Sequence, residues 1–309
     1  MEKIKIFAVV ILLASFLAPQ TGRALQMPET GNDLAAMYGI NARSYIVQDA
    51  ATGQVLVDSN ADLAWPPASL TKLVTALVVL DTKPNLSKSV AMTQADQTAG
   101  GCSVGGACIK TVAGVKFTVD GLFHAMLMPS ANNAANALAR STGLSAAAFA
   151  ARMNQKAAQL GAVNSRFNEP TGMDPTNQIT AADYTKIVAA AFANQYLRDI
   201  AGLNSYALKS TNNSKYNQTI KNTDKLLADS DVQVLGAKTG YLDESQYNFA
   251  SLVKDAFGNQ LAVVVLGEPH LASAFAETKT LATLAEDARM LLALQGLPQV
   301  LGASTTAAD

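Results

Sequence analysis

Charge, tryptophan and cysteine are all scarce in this sequence. Only 15% of its 309 residues are charged, and 23 basic residues against 24 acidic ones leave a formal net charge of −1. No run of lysine and arginine is present, so the sequence excludes a strong field that would favour nucleic acid or an anionic membrane. Hydrophobic residues make up 49% of the chain, which excludes a disordered composition and is ample for a large core.

Long apolar runs are also absent, apart from one at the N-terminus. That run, residues 6–17, is too short for a comfortable transmembrane span. Lys3 and Lys5 precede it, and the GRA segment at residues 22–24 is an acceptable cleavage site. We interpret residues 1–24 as a signal peptide and predict an exported protein, periplasmic or secreted, without a strong membrane anchor after signal removal. An uncleaved anchor is the alternative interpretation.

The periodicity of apolar residues predicts strands near both ends of the chain and helices between them. A hairpin is predicted over residues 42–62. Further strands are predicted over residues 231–240, 246–255 and 259–269, and helices over residues 68–80, 118–128, 134–140, 145–160, 180–194 and 278–294. This order indicates an α+β fold, in which the first hairpin and the last strands share one antiparallel sheet packed by helices, with a helical cluster beside it.

Ser69 and Lys72 stand at the head of an apolar helix, in the segment PPASLTKLVTALVVLD. Residues i and i+3 of a helix share a face, so both side chains would point into the same space at the helix N-terminus. A serine hydroxyl is a poor nucleophile until a base takes its proton, and a lysine with a lowered pKa can be that base. S-x-x-K alone is a weak signal, since a helix cap beside a solvated lysine gives the same pattern.

Two further short motifs follow in the chain. Ser130 and Asn132 form an S-x-N motif on a predicted loop after a helix that ends at a proline. Lys238, Thr239 and Gly240 form a K-T-G motif at the end of a predicted strand. Penicillin-recognising serine enzymes use S-x-x-K, S-x-N and K-[ST]-G in this order. Three motifs in order, each on the expected kind of element, are a strong signal.

From about residue 40 to about residue 290 the chain resembles the low-molecular-weight penicillin-binding proteins, the D-alanyl-D-alanine carboxypeptidase/endopeptidase family of serine peptidases. Besides the motifs, the resembling segments include FAARMNQKAAQLGAVNSRFNEPTGM, ITAADYTKI, KNTDKLL and GAKTGYLDESQYNFASLV. The resemblance implies a β-lactamase/transpeptidase-like fold and one catalytic domain over residues 41–297, between an N-terminal segment (25–40) and a flexible tail (298–309). It implies hydrolysis of D-Ala-D-Ala or of D-Ala cross-links in peptidoglycan stem peptides. It also implies inhibition by β-lactam antibiotics, and no metal or organic cofactor.

The resemblance assigns catalytic roles to three of the motif residues. Ser69 would attack the carbonyl of the penultimate D-alanine, and Lys72 would accept its proton. Ser130 would relay a proton toward the leaving amine, and Lys238 would lower the cost of charge there. Asn132 would hold the substrate's backbone amide and help to position Lys72.

The strand that ends in K-T-G is expected to bind the substrate. Lys238 and Thr239 would contact a terminal carboxylate or the peptide in its place. The backbone N–H groups of Ser69 and Tyr241 would hold the oxyanion. Gly240 would let the substrate backbone lie close to the strand edge and pair with it.

The two cysteines, Cys102 and Cys108, lie in the segment GGCSVGGACIK. An even cysteine count in an exported chain predicts a disulfide, here closing a short loop and adding little stability. Free thiols are the alternative interpretation. A zinc site is a poorer one, because only His124 and His270 are available to complete a set of ligands with the C-x5-C cysteines. In relatives this region often forms part of the groove wall, where such a bond would shape substrate entry. A plain surface staple is the other interpretation.

Two departures from the family pattern leave other functions open. Class A β-lactamases add a glutamate in an E-x-x-x-N context. In this chain Met173 stands four residues after Glu169, where that pattern has asparagine. We therefore interpret Glu169 as an exposed loop carboxylate. Ala274 replaces an arginine of many relatives, which weakens a strict carboxypeptidase assignment and leaves room for endopeptidase action. The alternatives are a class A-like β-lactamase and a catalytically silent peptidoglycan-binding protein.

Overall fold

The computed structural model describes residues 38–229 and 231–295 of the chain. The predicted signal peptide, the predicted tail and the first part of the predicted N-terminal segment, residues 25–37, lie outside the described residues. The α+β class predicted from the order of the elements is confirmed.

One five-stranded antiparallel sheet lies at the centre of the fold. The strands of the described residues are β1 (Ser44–Asp49), β2 (Val55–Ser59), β3 (Ser89–Ala91), β4 (Lys116–Thr118), β5 (Ser205–Leu208), β6 (Gln218–Lys221), β7 (Gln233–Leu242), β8 (Gln246–Lys254) and β9 (Gln260–Glu268). The sheet has the order β2-β1-β9-β8-β7, so the first hairpin and the last strands share it as predicted, and β7 is an edge strand. Two small ribbons, β3 with β4 and β5 with β6, were not predicted.

Helices cover both faces of the sheet and form a cluster beside it. They are α1 (Thr71–Asp81), α2 (Gln94–Ala99), α3 (Val119–Leu127), α4 (Asn132–Ser141), α5 (Ala146–Gln159), α6 (Ala181–Ala193), α7 (Gln195–Ala201) and α8 (Leu271–Gln295). A 3-10 turn, Ala68–Leu70, leads into α1. None of the described helices is long and apolar enough to cross a membrane.

Two predicted helix boundaries are wrong. Helix α4 begins at Asn132 instead of residue 134, because the Asn132 N–H finds its partner in the distant Ala107 carbonyl (2.7 Å) and needs no local cap. Helix α8 begins at Leu271 instead of residue 278, because its first turns pack against the sheet. Both starts depend on contacts between distant parts of the chain, which local periodicity does not record.

The sheet is apolar on both faces because each face packs against helices. Val264 of β9 belongs to the apolar cluster that contains Leu73 of α1 and Tyr184 of α6. The next residue, Val265, belongs to a second cluster, together with Ala274 of α8. Successive side chains of a strand point to opposite faces, so β9 joins the two layers. Helix α1, which follows the S-x-x-K serine, lies in the larger layer.

The segment that leads into the S-x-x-K turn is fixed to the sheet. The N–H groups and carbonyls of Trp65 and Ile179 exchange two hydrogen bonds of 2.8 Å and 3.0 Å. Asn248 of β8 is fully buried, and its Nδ2 donates to the Pro66 carbonyl at 3.0 Å. The sheet therefore sets the position of the turn before α1 begins.

We predict that Asn248→Ala lowers the free energy of unfolding by about 2–4 kcal/mol. The change leaves the Pro66 carbonyl and the Gly267 N–H, which donates to Asn248 Oδ1 at 3.0 Å, without their buried partner, at about 1–3 kcal/mol for each group. Urea denaturation would measure the loss. Asn204→Ala is the control, since that exposed side chain makes no hydrogen bond within the described residues, and it should cost less than about 0.5 kcal/mol. Equal losses in both variants would contradict the prediction.

Candidate active site

Two lysine–hydroxyl pairs bring the three motifs together. Lys72 Nζ lies 2.6 Å from Ser69 Oγ and donates to the Thr171 carbonyl at 2.6 Å. Lys238 Nζ donates to Ser130 Oγ at 2.9 Å. One pair lies at the start of α1, while the other joins β7 to the connection between α3 and α4. The fold thus gathers groups from three regions of the chain, and each of the two motif serines faces an amine.

The backbone is strained on both sides of the site. Ala68 and Ser130 have φ angles of 50° and 65°, a left-handed conformation that costs a non-glycine residue on the order of 1–3 kcal/mol. Two glycines let neighbouring segments close on the turn at Ala68. A Cβ atom on Gly172 would lie 1.7 Å from the Ala68 carbonyl oxygen, and one on Gly240 would lie 2.8 Å from the Pro67 carbonyl oxygen. Larger residues would hold these segments apart.

Lys72 is fully buried at the start of α1. Burial lowers the pKa of Lys72 well below its ordinary value, the positive charge of Lys238 lowers it further, and the carboxylate of Glu169 opposes the shift. The shift favours the neutral amine, which is the form that can accept a proton. At 2.6 Å from Ser69 Oγ, that amine is within reach of the hydroxyl proton.

Lys238 is the second buried amine. Burial lowers the pKa of Lys238 to about 7, against the opposing charge of Asp224. Burial also raises the pKa of the Asp224 carboxyl to about 6, although the positive charge of Lys238 acts to lower it. Asp224 Oδ2 has no hydrogen-bond partner within the described residues. The two pKa values, about 6 and about 7, thus lie close together, and Lys238 holds its proton weakly until an anion approaches.

Asn132 has one side-chain atom without a hydrogen-bond partner among the described residues. Its Nδ2 donates to the Gly100 carbonyl at 3.0 Å, whereas its Oδ1 is buried and has no partner within the described residues. Neither side-chain atom bonds to Lys72, which the Thr171 carbonyl holds instead. The expected role of Asn132 in positioning Lys72 therefore stays a prediction, without a direct hydrogen bond between the two side chains. The free oxygen is an acceptor suited to an N–H group.

The K-T-G residues lie on β7, at the edge of the sheet. Thr239 Oγ1 lies 2.7 Å from Thr223 Oγ1. A Cβ atom on Gly240 would lie 3.2 Å from the Ser69 backbone nitrogen. The backbone next to Tyr241 therefore runs close to the Ser69 N–H, where the two expected oxyanion donors would converge. The side chain of Tyr241 itself is 46% exposed.

Other residues singled out in the sequence have different surroundings. Cys102 and Cys108 form a disulfide with Cα atoms 5.7 Å apart. Ala274 lies on α8 and is fully buried, and His270 is exposed. Within the described residues no group of three or more histidine, cysteine, aspartate or glutamate side chains could hold a metal ion. A cavity of about 560 Å³ between β7, β8 and α8 is lined by no motif residue.

Comparison with known proteins identifies the family. A family model described as D-alanyl-D-alanine carboxypeptidase matches residues 31–270. The D-alanyl-D-alanine endopeptidase of Haemophilus influenzae is 32% identical over 224 residues, which cover 72% of this chain and 74% of that protein. The chain belongs to the D-alanyl-D-alanine carboxypeptidase family. The predicted family is thus confirmed, and the chain is a serine DD-peptidase.

The relatives of this DD-peptidase include proteins named endopeptidase, carboxypeptidase and transpeptidase. The D-alanyl-D-alanine carboxypeptidase DacB2 of Mycobacterium tuberculosis is 33% identical, over 73% of this chain and 74% of that protein. Among solved structures, a mutant of a Streptomyces DD-transpeptidase matches with a TM-score of 0.74 and 27% identity, over 79% of this chain and 97% of that one. The predicted β-lactamase/transpeptidase-like fold is confirmed by this likeness.

Glu169 is half-buried, and the expectation of an exposed carboxylate is wrong. Its two oxygens accept hydrogen bonds from the Thr171 N–H (2.7 Å), the Thr171 hydroxyl (2.6 Å), the Gly172 N–H (2.5 Å) and the Asn177 amide (3.1 Å). These bonds fold the loop so that the Thr171 carbonyl reaches Lys72. In this DD-peptidase the carboxylate organises the backbone that holds the buried amine.

Three groups at the site were not predicted from the sequence. Thr171 contacts Lys72 through its carbonyl, and a backbone atom leaves no side-chain signal. Thr223 and Asp224 lie in KNTDKLL, a segment that resembles the family. No spacing rule connects that segment with K-T-G, so its proximity to Lys238 and Thr239 was not visible in the sequence.

We predict that Glu169→Gln slows acylation by a fluorescent penicillin about 100-fold, the cost of a misplacement of about 1 Å in an active site. The glutamine NH2 would face the N–H and O–H donors that now point at a carboxylate oxygen. The loop would shift, and the Thr171 carbonyl would no longer hold the amine.

The matched control for this variant is Glu244→Gln, a neutralised glutamate on the exposed turn between β7 and β8. It should acylate at the wild-type rate. Circular dichroism would show that both variants are folded. Acylation of folded Glu169→Gln at the wild-type rate would contradict the positioning role.

Proposed function

We propose that this DD-peptidase cleaves D-Ala-D-Ala or D-Ala cross-links of peptidoglycan stem peptides through an acyl-enzyme on Ser69. The observation that carries the proposal is the 2.6 Å contact between Ser69 Oγ and the Nζ of a fully buried lysine. Neutral Lys72 takes the hydroxyl proton while Ser69 Oγ attacks the carbonyl of the penultimate D-alanine. The backbone N–H groups of Ser69 and Tyr241 donate to the oxyanion that develops.

Departure of the leaving group requires a proton on its nitrogen. Ser130 donates its hydroxyl proton to that amine and receives in return the proton that Lys72 took. The ammonium of Lys238, 2.9 Å from Ser130 Oγ, lowers the cost of negative charge on this oxygen. Water then attacks the ester, returns the proton to Ser69 and releases the shortened stem peptide.

The same residues provide the substrate contacts of the proposal. The free Oδ1 of Asn132 accepts an N–H of the stem peptide. Lys238 and the hydroxyl of Thr239 bind the terminal carboxylate or the peptide in its place. The edge of β7 pairs with the substrate backbone, which can approach because Gly240 has no side chain.

The proposed chemistry can release either a terminal D-alanine or the amine of a cross-link. Of these two substrates, the proposal favours cross-links. The carboxylate of a terminal D-alanine needs cationic partners, and Ala274 supplies no guanidinium where many relatives carry arginine. We place the reaction outside the cytoplasm, in the periplasm or at the cell surface, since residues 1–24 have the pattern of a signal peptide. β-Lactams would acylate Ser69 by the same attack.

The two alternative functions have weaker support. A class A-like β-lactamase needs a glutamate that activates water, but both oxygens of Glu169 are occupied by loop donors. A silent binding protein needs no nucleophile, yet Ser69 and Ser130 each contact a buried amine. These contacts favour a working acyl-enzyme mechanism.

We predict that Ser69→Ala abolishes peptide cleavage and β-lactam labelling together, because one oxygen atom performs both attacks. The exposed Ser214 provides the control variant Ser214→Ala, which should keep both. Mass spectrometry of products from a pentapeptide muropeptide and from a cross-linked dimer would measure cleavage. Loss of one D-alanine identifies a carboxypeptidase, and splitting of the dimer identifies an endopeptidase. Turnover by Ser69→Ala would refute the mechanism.

We predict that kcat/KM falls at both low and high pH. At low pH Lys72 becomes protonated and can no longer act as the base. Above about pH 7 Lys238 loses its proton in the free enzyme, because burial lowers its pKa to about 7, and carboxylate binding weakens. A bound carboxylate raises the pKa of Lys238, so the alkaline fall of kcat should lie at higher pH than that of kcat/KM.

Lys238→Arg tests the assignment of the alkaline limb. Arginine keeps its charge throughout this range, so the alkaline fall of kcat/KM should move to higher pH even if overall activity declines. The measurement is a pH profile of peptide cleavage or penicillin acylation. An unchanged alkaline limb in this variant would exclude Lys238 as the titrating group.

A further inference from the structure

The disulfide loop lies directly against the residue that the proposed function assigns to substrate binding. On one arm of the loop the Gly100 carbonyl accepts from Asn132 Nδ2 at 3.0 Å. On the other arm the Ala107 carbonyl accepts from the Asn132 backbone N–H at 2.7 Å. The bond between Cys102 and Cys108 joins the two arms, with the Cα atoms 5.7 Å apart. Asn132 is therefore held by both arms at a separation that the disulfide fixes.

These two contacts determine where the free oxygen of Asn132 points. The side chain is 2% exposed, and its Oδ1 is buried without a partner within the described residues. The Nδ2 bond to Gly100 is the side chain's only anchor among these residues. A shift of that carbonyl would turn the amide and move the acceptor away from a substrate N–H.

The next residue of the chain is bound to the same loop. Asn133 Oδ1 accepts from the Ile109 N–H at 3.2 Å, and Asn133 Nδ2 donates to the Ile109 carbonyl at 3.0 Å. The first two residues of α4, Asn132 and Asn133, are thus both hydrogen-bonded to the second arm of the loop.

The first arm also contacts the loop that holds Lys72. A Cβ atom on Gly101 would lie 2.9 Å from Met173 Cε, two residues after the carbonyl that binds the lysine amine. Gly101 and Gly105 have φ angles of 65° and 93°, and such residues gain much freedom when a constraint is removed. Without the disulfide, the hydrogen bond from the Gly106 N–H to the Gly101 carbonyl (2.9 Å) would still join the two arms, but no covalent bond would fix their separation.

We propose that the Cys102–Cys108 disulfide positions Asn132 for substrate binding, so that its reduction weakens binding without stopping the chemical step. The inference rests on the proposed function, in which Asn132 Oδ1 accepts the substrate N–H. Lys72 and Ser69 lie outside the loop and keep their contact. The half-saturation concentration should rise, and the limiting acylation rate should stay nearly unchanged.

The disulfide is open to a reductant. Both cysteines are half-buried, and residues 103–105 between them are exposed. A small dithiol attacks one sulfur, and its second thiol then releases the mixed disulfide. Two electrons and two protons pass from the dithiol, which becomes a cyclic disulfide, to the protein, which gains two thiols. Reoxidation reverses the change.

The test is saturation kinetics of acylation by a fluorescent penicillin, with the wild-type protein oxidised, reduced by a dithiol and reoxidised. Thiol titration would verify each state. We expect reduction to raise the half-saturation concentration about tenfold, near the upper range for one lost hydrogen bond. We expect the limiting rate to change less than about twofold, and reoxidation to restore the original value.

Two variants separate positioning from a plain surface staple. The double variant Cys102→Ala/Cys108→Ala should have a raised half-saturation concentration with or without the dithiol. In Asn132→Ala the dithiol should have little further effect, because coupled residues give non-additive changes. If the effects of reduction and of Asn132→Ala on the half-saturation concentration were fully additive, the loop would not act through Asn132 and the inference would be overturned.

The remaining outcomes distinguish this inference from the function on which it rests. If verified reduction leaves the half-saturation concentration unchanged, the disulfide is a surface staple and the inference fails while the proposed function stands. If the oxidised wild-type protein is not acylated at all, the proposed function itself fails.

Discussion

Burial of the Lys72 amine is the constraint on which the rest of the site depends. A charged ammonium in this position would carry a penalty of several kcal/mol, so the fold favours the neutral form. The lysine still needs partners for its polar head, and Ser69 Oγ and the Thr171 carbonyl provide them. Burial is therefore the main cause of its depressed pKa, and the same burial leaves its amine in contact with the nucleophile.

That burial requires close approach of several segments, and the approach explains the unusual backbone around the site. Gly172 and Gly240 admit their segments to the turn that carries Ser69, where any Cβ would collide. Ala68 and Ser130 adopt left-handed conformations that an isolated chain would avoid. Asn248 of β8 holds the segment before Ala68 through the Pro66 carbonyl, and Lys238 of β7 holds Ser130 through its hydroxyl. Asn60, Lys83 and Gln246 also have left-handed backbones, but of the five such non-glycine residues that the structure describes, only Ala68 and Ser130 lie within or next to the motifs.

Lys238, the second buried amine, has a different balance between burial and neighbouring charge. Lys238 is as deeply buried as Lys72, but Asp224 opposes the loss of its proton. One amine is therefore suited to accept a proton, and the other to carry a charge when an anion binds. Placing the two lysines near each other also separates their roles, because the positive charge of Lys238 lowers the pKa of Lys72 further. The fold obtains a base and a cation from the same residue type by varying only the surroundings.

The sequence determined the features that depend on local spacing. Ser69 and Lys72 are three residues apart, across the 3-10 turn and the start of α1, so their pairing follows from helical spacing. Strand-like apolar runs predicted β7, β8 and β9, because a strand that is covered on both faces carries apolar residues at successive positions. The order of the three motifs indicated the family, and through it the roles assigned to Ser130 and Lys238, which lie 108 residues apart.

Only the tertiary structure decided which backbone and carboxyl groups complete the site. The Thr171 carbonyl, the carboxylate of Glu169 and the buried Asp224 act through contacts between segments that no periodicity relates. The same holds for the start of α4 at Asn132, which depends on a carbonyl of the disulfide loop. Local patterns report the faces that elements bury, whereas the partners on those faces are set by packing between distant segments. For that reason the nucleophile and its base were predictable, and the groups that tune and hold them were not.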